Sequence, residues 1–204
     1  MEPVALRPLL VAAAITAALT AICIAVVDLP LAEALAPYAP SSAWDRGVDL
    51  LEVLLLLPLW KWASVAVLAG ATVAAFAVPR WRAAAPAWLL VTATHLISRL
   101  AMGWIKDGTG RLRPSEWHGG PTFFQPHGIS FPSGHVVLFA GVLVPLAITC
   151  PRTRPLLAVV GFVMIARIAA HAHFASDVLG ALTLVTLVAW GCGSMIRRLP
   201  GSRR

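Results

Sequence analysis

Residues 165–196 read IARIAAHAHFASDVLGALTLVTLVAWGCGSMI. After Asp177 no charged side chain occurs until Arg197. That run of about 20 apolar and small residues is long enough to cross the hydrocarbon core of a bilayer as a helix. Just before it stand Arg167, His171, His173 and Asp177. The stretch therefore joins a membrane helix to a cluster of ionisable groups at its edge.

The rest of the chain agrees with the first half of that reading. Of 204 residues, 59% are hydrophobic and only 12% are charged, against roughly 25% charged in a soluble domain. Mean hydropathy is +0.81. Six apolar runs are expected as helices at about 8–27, 53–78, 84–105, 134–150, 155–173 and 177–196. Backbone polar groups in lipid must be satisfied within the segment, and no strand alternation suggests a barrel. The expected fold is all-α, a six-helix transmembrane bundle forming a single domain over residues 1–204. Pro58 and Lys61 interrupt the second run and suggest a kink or an interfacial start. The last two runs are so close that a tight antiparallel hairpin is expected. The first run resembles a signal peptide, but its apolar core exceeds a signal h-region, so a retained helix is expected.

Net charge is +7, yet the basic residues form small groups between apolar runs rather than the continuous stripe of a nucleic-acid surface. No nucleic-acid partner is expected. Arg7, Arg80, Arg82, Arg152, Arg154, Arg197, Arg198, Arg203 and Arg204 fall on one side with a single acid, Glu2. The positive-inside rule makes that side, with both termini, cytoplasmic. The loops 28–52 and 106–133 and the 173–177 turn then face outward, toward the periplasm if the membrane is a bacterial inner membrane. Cys23, Cys150 and Cys192 are scattered without metal spacing and read as small buried residues. The GCG at 191–193 reads as close helix packing.

Ionisable groups at the membrane edge are costly unless paired or facing a wet cavity. Two other segments reach the same side. KDGTGRLRP, 106–114, supplies Lys106, Arg111 and Arg113, and FPSGHVV, 131–137, places Ser133 and Gly134 before His135 at a helix start. Free N–H groups at a helix N-terminus favour an anion. Lys106, Arg113 and Arg167 add cations suited to phosphate oxygens. His173 and Asp177, four apart, would share a helix face. Asp177 could then hold one ring nitrogen and leave the other as nucleophile or base. His135 could protonate a leaving oxygen. Together these groups suggest phosphoryl transfer without a metal.

These residues resemble a known family. Lys106 with Arg113-Pro114, Pro132-Ser133-Gly134-His135, and Arg167 with His173 and Asp177 are similar to the three-part signature of the type-2 phosphatidic acid phosphatase superfamily. That superfamily also includes vanadium haloperoxidases and bacterial lipid pyrophosphatases. The resemblance implies that His173 attacks phosphorus and becomes a phosphohistidine, that Asp177 orients it, and that His135 donates the proton to the leaving oxygen. Lys106, Arg113, Arg167 and the backbone at Ser133 and Gly134 would hold the phosphate. It implies a lipid-linked phosphate or pyrophosphate as substrate and no cofactor. The family commonly has Ser where this chain has Ala166, which implies altered efficiency or preference rather than inactivity.

Other polar residues admit blander readings. His171 shares a face with Arg167 but lacks a carboxylate four residues on. His95 and Arg99 lie inside the third run and either pair with a neighbouring helix or contact a large headgroup. His118 and His127 read as loop residues. Trp117, Phe123 and Phe124 are expected as interfacial anchors or as a cover over the site. The alternatives to a phosphatase are a lipid phosphotransferase on the same scaffold and a non-catalytic lipid-phosphate binding or transport protein.

Overall fold

The computed structural model describes residues 6–38, 42–54 and 62–198. Among these residues the chain is all-helical, with seven helices and no strand. They are α1 (Arg7–Tyr38), α2 (Ser42–Leu54), α3 (Ala63–Ala77), α4 (Ala85–Thr109), α5 (Gly134–Thr149), α6 (Leu157–Ala169) and α7 (Ala175–Ile196). The all-α class is as expected; the helices among the described residues number seven rather than the expected six. The additional helix is α2, which lies where an outward loop was expected. It carries Asp45, Arg46, Asp49 and Glu52, too many charges to register as an apolar run. The run at 53–78 is accordingly not one helix: its described parts belong to the end of α2 and to α3. Pro58 and Lys61, expected to break it, lie outside the described residues, as do Glu2, Arg203 and Arg204.

The helical stretches Arg7–Tyr38, Pro79–Glu116 and Ala175–Ile196 are each long and apolar enough to cross a membrane, and α3 and α5 are shorter apolar helices. Ile15, Ile22 and Val26 on α1, Val67 and Val73 on α3, and Leu187 on α7 are exposed. An exposed apolar surface of this extent is what a lipid-facing bundle requires.

The buried positions of α1 are Leu9, Ala13, Thr16, Thr20 and Cys23, then Asp28 and Ala32. Steps of three and four keep one face inward; the step from Cys23 to Asp28 is five. A π-helical turn, Cys23–Val27, absorbs the extra residue. Pro30 follows closely. It cannot donate to the carbonyl four residues earlier, and its ring crowds that carbonyl, so a local change of helix pitch is expected there. The result is a carboxylate aimed into the bundle.

α1 packs along α7, and α4 packs on both α5 and α7. Thr183 donates a 2.8 Å hydrogen bond to Thr16 across the first interface. On α7 the buried residues Val178, Ala181, Val185, Ala189 and Cys192 form one stripe of mainly small side chains. Lipid offers no hydrophobic drive between helices, so close van der Waals packing of such residues has to hold them. Gly193 serves the same end: a Cβ there would lie 2.7 Å from Leu6. The core also takes in Val136, Val137 and Ala140 of α5 and Val160 and Val163 of α6.

The expected hairpin of the last two helices is corrected in two respects. α6 ends at Ala169, not near 173, and five residues link it to α7. The two do not form a principal pair. α6 packs chiefly on α5 and α2, whereas α7 packs on α1, α4 and α5. His171, with φ of +57°, makes the link turn sharply. Its Nε2 lies 2.9 Å from the Ala32 carbonyl, and its own carbonyl accepts from the Ser115 N–H at 3.2 Å. His171 thus ties the link to α1 and to the loop after α4.

Candidate active site

The site is built where the ends of α4, α5, α6 and α7 meet. α4 stops at Gly110, whose φ of +50° and ψ of +43° are left-handed, a conformation that favours glycine. The chain then folds back on itself. Phe124 donates to the Thr109 carbonyl and Gln125 to that of Gly110, each at 2.8 Å, and Ser130 donates to the Arg111 carbonyl, also at 2.8 Å. Gly128 sits so close that a Cβ would be 2.4 Å from the Gly110 carbonyl oxygen. The compact loop carries Arg111 and Ser130 onto the start of α7. Lys106, on the last turn of α4, donates to the Ile129 carbonyl.

α5 begins against α7. The Ser133 N–H donates to the Asp177 carbonyl at 3.0 Å. Among the described residues no side chain caps the α5 N-terminus, and the buried Ser133 Oγ has no hydrogen-bond partner. An unclosed helix N-terminus beside an unpartnered hydroxyl is an anion-binding arrangement.

His173 and Asp177 meet, but not as residues on one helical face. His173 lies before α7, Phe174 is the N-cap, and Asp177 is the third residue of the helix. Asp177 Oδ2 accepts the Phe174 N–H at 2.8 Å and the Ser130 hydroxyl at 2.6 Å. His173 Nδ1 is 3.5 Å from that same oxygen and 3.2 Å from Ser130 Oγ. The carboxylate reaches the imidazole by reaching back over its own helix start, which serves as well as helical spacing. Both residues are buried. Burial holds the His173 ring below the ordinary histidine range, against the opposing pull of Asp177, which favours the neutral ring with its lone pair available.

Around this pair stand the other residues expected from sequence. Arg167, His173, Arg113 and Lys106 all lie close enough to act electrostatically on His135. Arg113 Nε and Arg167 Nε are buried without a hydrogen-bond partner among the described residues, although Arg113 Nε lies 4.0 Å from the Glu116 carboxylate. Arg113 also donates its backbone N–H to Glu116 at 3.0 Å. Gly134, the first residue of α5, packs near Met102. The helix that sequence reading missed also bears on the site. Asp45 of α2 pairs with Arg167 at 2.8 Å, and Glu52 of α2 lies 2.5 Å from His135 Nε2.

His95 and Arg99 are placed apart from this group. His95 Nε2 lies 2.9 Å from Ser64 Oγ, and Arg99 stacks 4.4 Å over the Trp62 ring. They join α3 to α4. Phe123 is neither a free anchor nor a flap: its ring lies 4.4 Å from the Arg111 guanidinium and packs edge-on against Phe131. Phe124 is 82% exposed.

Sequence reasoning named Arg111 without giving it a role and passed over Asp28, Ser130 and Ser176. Arg111 is fully buried. One amino group is 2.7 Å from Asp28 and the other 2.7 Å from Asp177. Its guanidinium is sandwiched between Phe123 and Phe174. Ser176 donates its N–H to Asp28 at 3.0 Å. An available signal was Asp28 itself, a carboxylate at the end of an apolar run, where a charge needs a partner.

No curated protein and no solved structure matches the chain. The family profile of the PAP2 superfamily matches residues 86–199, more than half of the chain and every expected catalytic segment. The chain belongs to the PAP2 superfamily.

Proposed function

We propose that this protein is a membrane phosphatase acting on a lipid-linked phosphate or pyrophosphate at the outward face, through a phosphohistidine. Membership of the superfamily supports phosphatase chemistry on phosphate esters. The observation that carries the reading is a group of three buried donor atoms, Ser133 Oγ, Arg113 Nε and Arg167 Nε, with no hydrogen-bond partner among the described residues, drawn from three chain segments around two histidines. Such groups are costly unless a ligand completes them, and a tetrahedral dianion would complete all three.

In the proposed reaction the His173 nitrogen opposite Asp177 attacks phosphorus. The bond from phosphorus to the leaving oxygen breaks, and that oxygen takes a proton from His135. Water then attacks the phosphohistidine, His135 accepts its proton, and inorganic phosphate leaves. Lys106, Arg113, Arg167 and the α5 N-terminus hold the oxygens as charge builds on them. A phosphomonoester lipid leaves as the alcohol, and a pyrophosphate as the monophosphate. The lipid tail stays in the bilayer while the headgroup enters between helix ends.

The test is phosphate release by the purified protein in detergent, in EDTA, from phosphatidic acid, phosphatidylglycerol phosphate, polyprenyl pyrophosphate and lipid A phosphates. Turnover of at least one supports the reading. Transfer of phosphate to a lipid acceptor with no free phosphate makes the protein a phosphotransferase. Binding without release makes it a lipid-phosphate binding or transport protein.

Arg167 is held by Asp45 before any substrate arrives. Asp45 is half exposed, with 52% of its side chain accessible, so the pair is worth at most about 1 kcal/mol. A dianionic phosphate therefore displaces it. Asp45→Asn is expected to lower KM by up to about 5-fold with kcat unchanged, since the phosphate no longer competes with a carboxylate. Steady-state kinetics on the best substrate of the panel check this. An unchanged or raised KM would remove Arg167 from phosphate binding or Asp45 from competition with it.

A further inference from the structure

We propose that Asp28, on α1, is a positioning residue for the reaction. Through Arg111 and the N-terminus of α7 it fixes Asp177 and leaves net negative charge beside His173. The inference rests on the phosphatase reading of the site.

Asp28 lies outside the segment matched by the family profile, on a different membrane-crossing helix from the expected catalytic residues. The π-helical turn at Cys23–Val27 shifts the buried stripe of α1 so that Asp28 points inward. Once there, Asp28 reaches Asp177 by two routes. One runs through Arg111, which contacts both carboxylates at 2.7 Å. The other runs through Ser176, whose N–H and hydroxyl both donate to Asp28. Ser176 is the second residue of α7 and Asp177 the third, so Asp28 closes a free N–H of the very turn that carries Asp177.

The charges explain why a second carboxylate is needed. Arg111 alone would cancel Asp177 as seen from His173. Its guanidinium lies between the Phe123 and Phe174 rings, 4.4 and 4.3 Å away, so little water screens it and its field is strong. Asp28 offsets Arg111 and returns the group to a net charge of minus one. Bond formation between phosphorus and His173 puts positive charge on the ring. A net anion fixed on the Nδ1 side stabilises that charge without reorganisation.

The experiment uses the full chain in detergent, with a lipid phosphonate analogue of the best substrate as binding probe. Asp28→Asn keeps the shape and the acceptor oxygen but removes the charge. It is expected to lower kcat by roughly 10–100-fold, by analogy with the outer partners that orient metal-ligating histidines. KM and phosphonate affinity should stay within about 3-fold. Asp28→Glu, which keeps the charge, should retain most of the turnover. Equal kcat for Asp28→Asn and wild type overturns the proposal. So does a loss of phosphonate binding in step with activity, which marks a purely structural residue. If Asp28→Asn does not accumulate as monodisperse protein, Asp28→Asn/Arg111→Gln takes its place. That pair removes both charges, keeps the net value, and should turn over measurably. Phosphonate binding by the pair with no turnover overturns the proposal. A wild-type protein inactive on every lipid phosphate would instead remove the phosphatase reading, and that control is run first.

Discussion

His173→Ala is expected to abolish phosphate release, by on the order of 10⁴-fold or more, the scale lost when a nucleophile is removed. Substrate binding should survive better than turnover. The cations and the α5 N-terminus do not depend on the imidazole, whereas bond formation does. The readout is kcat with the phosphonate affinity measured in parallel, so that a collapsed site is not mistaken for a chemical defect. A denaturing detergent quench of wild-type protein at alkaline pH during turnover should trap label from a phosphorylated lipid on His173, and the label should be stable in base but lost on later acidification. Release persisting in His173→Ala within about 10-fold of wild type would move the chemistry elsewhere. His171 would not be the natural heir, because its ring is spent on the Ala32 carbonyl. His135 would, since it stands among the same cations.

Much of this site was legible because its residues announce themselves locally. A Lys, two Arg and two His at the edges of apolar runs are conspicuous in a chain that is only 12% charged, and their places at helix ends follow from where those runs stop. α2 was not legible, because hydropathy finds membrane spans and α2 is a short, charged helix. The contact of His173 with Asp177 was anticipated from a spacing of four, yet it arises from a helix N-terminus that the sequence pattern does not mark. Ser130 and Arg111 depend on the loop after α4 closing on itself. That closure is a matter of Gly110 and Gly128 touching, a long-range event with no periodic signature. Asp28 needed the π-helical turn, whose cause, Pro30, is visible, but whose direction is set by packing on α7.

Arg111→Ala is expected to be the most destabilising single change in the chain. It removes the shared partner of two buried carboxylates, Asp28 and Asp177, and opens a gap between the Phe123 and Phe174 rings. Breaking a buried pair from one side costs about 3–5 kcal/mol, because a charge is left without compensation. Here two are left, with further loss from the aromatic stacking, about 0.5–2 kcal/mol. Ser130, Ser176 and the Phe174 N–H still donate to the carboxylates, which keeps the penalty finite. Thermal unfolding in detergent, followed by loss of monodisperse protein, should fall by about 10 °C or more, taking 2–4 °C per kcal/mol for a domain of this size. Arg111→Lys should recover only part, since one ammonium cannot fork between two carboxylates as a guanidinium does. The decisive comparison is Arg111→Ala with and without Asp28→Asn. If the cost is uncompensated charge, the second substitution restores stability by about 1 kcal/mol or more although it removes another polar contact. If the two losses simply add, Arg111 is held by shape and stacking, and the electrostatic account of the cluster fails with it.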